Sequence, residues 1–89
     1  MLRLLHITFA ENLNPTSLRR LLMSKMKDLE LSLRERYRWL VAAEFEGTGI
    51  ALSNAAGTRI FVDLSGCQTV TDILTAIEKQ LHNYGELHD

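Results

Sequence analysis

The spacing of apolar residues changes period along this chain, and that change limits the fold more than any other feature. Leu18, Leu21, Leu22, Met26, Leu29 and Leu33 recur at intervals of three and four, which gathers them on one side of a helix. From Arg36 the period drops to two: Tyr37, Trp39, Val41, Ala43 and Phe45 alternate with Arg36, Arg38, Leu40, Ala42, Glu44 and Glu46. Alternation of that kind belongs to a strand with two unlike faces. It returns over Thr58 to Leu64, where Ile60, Val62 and Leu64 oppose Arg59, Phe61 and Asp63. Helical spacing then resumes through Val70, Ile73, Leu74, Ile77, Leu81 and Tyr84. A chain that uses both periods in turn folds as neither an all-helical nor an all-strand domain.

Turn and cap residues set the boundaries. Leu2 to Phe9 reads as a first strand, too short for a helix before the break at Ala10 to Asn14. Asn14-Pro15 opens the first helix, which runs to about Leu33, because Asn accepts from free first-turn amides and Pro at the first position loses no helical bond. Lys25 falls inside the apolar sector, so its ammonium is expected to snorkel to water. Gly47-Thr48-Gly49 supplies a bend or bulge, Ile50 to Ser53 continue as a short strand, and Asn54-Ala55-Ala56-Gly57 form a turn. Thr69 caps the second helix with Asp72 favourably placed in its first turn, and Gly85 ends it.

The expected fold is therefore α+β: a two-layer β-α-β-(β)-β-α sandwich with two helices packed on one face of a small mixed sheet. The first two strands would be parallel if adjacent, joined by a right-handed crossover, and the later strands form an antiparallel meander. With 89 residues, 46% of them apolar, residues 1–89 make a single compact domain. A formal charge of −1 puts no bulk attraction to nucleic acid or anionic lipid into the total. No apolar run approaches the roughly 18 residues of a membrane span, and no signal peptide is expected from Met1-Leu2-Arg3-Leu4-Leu5-His6-Ile7. Cys67 is the only cysteine, which rules out an internal disulfide and suits a cytoplasmic setting.

If both helices cover the Tyr37, Trp39, Val41 and Phe45 side, the opposite face carries Leu2, Leu4, Leu40, Ala42 and Phe61, bordered by His6, Arg38, Glu44, Arg59 and Asp63. An apolar centre within a charged rim is the anatomy of a protein interface. The leading expectation is a non-enzymatic regulatory or adaptor domain that binds a protein partner or itself, as a homodimer, through this face or an exposed edge. Leu4, Leu40 and Phe61 would be its anchors, with Arg38 and Arg59 orienting the partner. The element order is similar to that of several small bacterial regulators and inhibitors that act by occupying a partner's surface, a likeness of architecture alone.

Charge supports a second expectation. Arg19 to Arg38 holds seven basic against three acidic residues, whereas 39–89 holds two basic against seven acidic. A nucleic-acid-binding regulator would use Arg19, Arg20, Lys27, Arg34 and Arg36 on phosphates, although solvated flanks of an amphipathic helix carry the same charges.

Signals for catalysis are weak. His82 and Glu86 have helical spacing but Gly85 lies between them, and no further ligand pair with zinc spacing accompanies them. His88 lies in the tail, and His6 reads as a rim residue. Cys67 precedes a helix start that could favour a thiolate, yet it has no resolving cysteine and reads as a loop thiol. Glu44 and Glu46 share a face as solvated rim groups, and Gly47-Thr48-Gly49 is no dinucleotide fingerprint. Neither a metal nor a cofactor is expected. A small enzyme would need a pocket holding His6 or Cys67 beside a partner's charged group.

Overall fold

The computed structural model describes residues 5–10 and 16–84, with side chains from Leu18 to Asn83 in the second stretch. The elements follow as β1 (His6–Phe9), α1 (Thr16–Arg36), β2 (Leu40–Glu46), β3 (Gly49–Asn54), β4 (Arg59–Asp63) and α2 (Val70–Tyr84). The four strands form one mixed sheet in the order β1-β2-β3-β4. β1 pairs parallel with β2, and the other neighbours are antiparallel. The α+β class and the antiparallel meander are as expected. The expected strand residues Leu2 to Leu4, the Asn14-Pro15 helix start and the Gly85 stop lie outside the described residues.

One hydrophobic cluster builds the core. It joins Leu18, Leu22, Leu29 and Leu33 of α1 and Ile73, Leu74 and Ile77 of α2 to Ala43, Phe45, Ile50, Leu52, Ile60 and Val62 of the sheet. All these strand residues share one face by register, so the pleat sends alternate side chains into the cluster. Tyr37, Trp39 and Cys67 pack at its margin.

Two junctions correct the sequence reading. First, α1 runs past Leu33 to Arg36, extended by a Tyr37 N–H to Leu33 C=O bond of 2.9 Å. Tyr37 to Trp39 are consequently a connection and not strand, and β2 starts at Leu40. Second, Leu40 lies opposite Asn54 while Ala42 lies opposite Ser53. Val41 is thus an extra residue, a bulge that resets the alternation. Leu40 turns into the core and is 2% exposed. The expectation that it lies on the open face is wrong because strict alternation has no place for the extra residue.

α1 is kinked at Lys25, whose φ of −125° and ψ of 16° leave the helical region. The Ser24 hydroxyl beside it donates to the carbonyls of Arg20 and Leu21, both at 3.2 Å. Such back-bonding competes with the helical ladder and bends helices. Lys25 is exposed although its position falls within the apolar stripe, so the local break accompanies its escape to water.

α2 begins with a reciprocal cap. The Asp72 N–H donates to Thr69 Oγ1 at 3.1 Å, and Asp72 Oδ2 accepts from the Thr69 and Gln68 amides at 3.1 and 3.0 Å. The Thr69 hydroxyl thus satisfies a first-turn amide that has no helical acceptor, and the Asp72 carboxylate satisfies the two amides that precede the helix. These bonds also hold the Asp72 carboxyl below its ordinary pKa, the Gln68 amide contributing most.

Candidate functional site: the outer side of the sheet

The side of the sheet turned from the core carries His6 and Thr8 from β1, Ala42, Glu44 and Glu46 from β2, Gly49, Ala51 and Ser53 from β3, and Arg59, Phe61 and Asp63 from β4. β3 contributes only small side chains, and this permits the arrangement above it. Arg59 reaches across β3 so that Nη2 donates to Glu44 Oε1 at 2.9 Å and Glu46 Oε1 at 3.1 Å. A bulky residue on β3 would stand in that path. Phe61 leans the same way, onto Gly49: a Cβ at Gly49 would meet the Phe61 ring and the Val62 carbonyl oxygen. Strand glycines often mark such close approaches.

The consequence is a face that partly covers itself. Ala51 is 2% exposed even though it lies outside the core cluster, while Phe61 remains 45% exposed. At the rim, Asp63 Oδ1 accepts from the Ser65 hydroxyl at 2.8 Å and the Thr48 hydroxyl at 2.9 Å. These two bonds, Ser65 first, hold its carboxyl below the usual range. Gly47 takes a φ of 55°, as the first residue of a II′ hairpin turn requires, and the turn brings Thr48 to Asp63.

The expected site residues separate. Phe61 and Arg59 occupy the outer face together, with Glu44 and Glu46 tied to Arg59. Leu40 is in the core, Arg38 is exposed in the α1–β2 connection instead of bordering the sheet, and Leu4 lies outside the described residues. The expected apolar centre therefore shrinks to Phe61 over a floor of Ala42 and Ala51. The reach of Arg59 over β3 is not among the expected features; its signal in the sequence is Gly49, Ala51 and Ser53, small residues at alternate positions between two charged strands.

A second exposed aromatic lies at the β1 edge, on the core side. Phe9 pairs in register with Phe45 and stacks on it, with ring centroids 5.5 Å apart and planes 15° from parallel. Phe45 is fully buried, but Phe9 is 53% exposed. One surface of its ring therefore lies on Phe45, and β1 is an edge strand of the described sheet.

Elsewhere the chemistry is sparse. Arg19, Arg20 and Lys27 are exposed on α1, Arg34 is half-buried, and Arg36 lies 3.9 Å from Glu78 on α2. Burial, chiefly, and then the Asp72 and Asp63 charges push the Cys67 thiol up, opposite to what thiolate chemistry needs. A depression of about 410 Å³ on α2 is lined by Glu78, Lys79, His82 and Asn83; it contains neither His6 nor Cys67. Among the described residues no His, Cys, Asp and Glu cluster could hold a metal ion, and no helix is long and apolar enough to cross a membrane. No protein-family model matches the chain, and no curated protein or solved structure matches it either.

Proposed function

We propose that this chain is a small non-enzymatic regulatory or adaptor domain that works by protein–protein contact through the sheet, on its outer face or its β1 edge, and that it self-associates. The observation that supports this most is the pair of partly exposed aromatics on the sheet, Phe61 and Phe9, in a domain whose core cluster lies wholly on one side. Aromatic side chains with one surface anchored and the other bare are typical interface anchors. Arg59, oriented by two carboxylates, supplies a fixed polar group beside Phe61.

Light scattering across a concentration series tests the reading: the measured mass should rise above that of one chain as concentration increases. A single-chain mass up to millimolar concentration would end the self-association reading.

A second reading, nucleic-acid binding, draws on Arg19, Arg20 and Lys27, which are exposed on α1 without an acidic partner among the described residues. Phosphate contacts would make affinity fall steeply with salt. Failure to bind duplex or single-stranded probes at low ionic strength removes it.

A further inference from the structure

We propose that β1 pairs antiparallel with β1 of a second copy about a two-fold axis at Thr8, making one continuous sheet from two chains; this deepens, and rests on, the self-association reading above. The hydrogen-bond directions of the edge lead to it. The Ala10 N–H donates to the Phe45 C=O at 2.8 Å, so Ala10 turns its N–H toward β2. Backbone groups alternate along a strand, and His6 and Thr8 therefore face β2 as well. Ile7 and Phe9 then direct their N–H and C=O groups away from the sheet, where no described strand pairs with them. Exposed groups of this kind are a template for another strand.

The two edges of the sheet differ in their defences. β4 carries Arg59 and Asp63, whereas β1 reads His-Ile-Thr-Phe, with no lysine, arginine, carboxylate, proline or bulge. Charges, prolines and bulges are the usual devices against edge pairing. β1 has none of them, and it presents Phe9 half-bare at the same place.

The sequence of β1 is complementary to itself in one register. An axis at Thr8 sets Ile7 opposite Phe9 of the second copy, and Phe9 opposite its Ile7. Each pair exchanges two main-chain hydrogen bonds, so all four outward groups of each copy are satisfied. The Ile7 and Phe9 side chains meet on the core side, which covers the bare surface of Phe9. Thr8 meets Thr8 on the outer side, a favourable cross-strand pair, and His6 falls opposite Ala10. No carboxylate, lysine or arginine meets its own kind across the axis. A contact built on one four-residue strand falls below the roughly 1,200 Å² of a standard interface, so the dimer is weak and concentration-dependent.

A charge introduced at the axis provides the test, because Thr8 is exposed and faces away from the core. Sedimentation velocity should show wild-type chain dimerising, and Thr8→Lys and Thr8→Asp each weakening the dimer about fivefold through like charges placed opposite each other. An equimolar mixture of the two variants should recover dimer, a rescue that a loss of folding cannot produce; circular dichroism checks each variant alone. Wild-type chain that stays monomeric overturns both this proposal and the self-association reading. A dimer unaffected by either Thr8 variant but lost in Phe61→Glu overturns the edge proposal and leaves self-association standing through the outer face.

Discussion

The two sides of the same four strands solve one problem differently. On the core side Phe45, Ile50, Leu52 and Val62 are sealed by the leucines and isoleucines of two helices. On the outer side Ala51 is equally inaccessible, yet what lies across that strand is the reach of two β4 side chains, Arg59 and Phe61. Burial can thus come from packing within the core cluster or from long side chains laid over a strand of small residues. The first depends on the hydrophobic effect over a large area. The second depends on surface ion pairs and one aromatic ring, which contribute far less.

The largest difference should appear between Leu40 and Phe61. Leu40→Ala opens a cavity in the core and should cost about 2–5 kcal/mol in urea unfolding, whereas Phe61→Ala, from a half-exposed site, should cost about 1 kcal/mol. Equal losses would break the distinction between the faces. Gly49→Ala comes next: its methyl would press on the Val62 carbonyl and the Phe61 ring, with an expected loss of about 1–3 kcal/mol. A neutral result would mean that neither the Val62 carbonyl nor the Phe61 ring closes over Gly49. Arg59→Ala should change stability by less than about 1 kcal/mol, and the difference from wild type should shrink as salt screens the two carboxylates.

The smallest effect is on pH dependence. Asp63 and Asp72 both have folded pKa values below their ordinary ones. The unfolded chain therefore binds protons first as pH falls, and their stabilisation, complete above the unfolded pKa, is lost as pH drops through the folded pKa. Asp63→Asn and Asp72→Asn should each flatten the acid limb of a stability-against-pH curve measured by thermal unfolding. An unchanged limb would remove those hydrogen bonds from the account.

Periodicity made most of the architecture legible. The Leu18 to Leu33 stripe, the alternation of Ala43 and Phe45, the Asn54 to Gly57 turn and the Thr69–Asp72 cap can all be read from local spacing, because each depends on residues close in sequence. The facing of Leu40 cannot. A bulge is set by how β2 meets β3, and the pattern Val41-Ala42-Ala43 does not mark which residue is the extra one. The reach of Arg59 over β3 to Glu44 and Glu46 is likewise non-local, combining three strands in a register fixed only by folding. Of the surface read from the sequence, Phe61 and Arg59 occupy the outer face and Leu40 does not. That Ile7 and Phe9 carry the outward main-chain groups of β1 follows from backbone direction, to which side-chain patterns are blind.

Amide hydrogen exchange at β1, followed as a function of protein concentration, tests the central claim most directly. Protection of the Ile7 and Phe9 amides should rise with concentration while that of Thr8, already bonded within the chain, stays constant. Ile7 and Phe9 amides that exchange at one fast rate from dilute to concentrated solution would contradict the account.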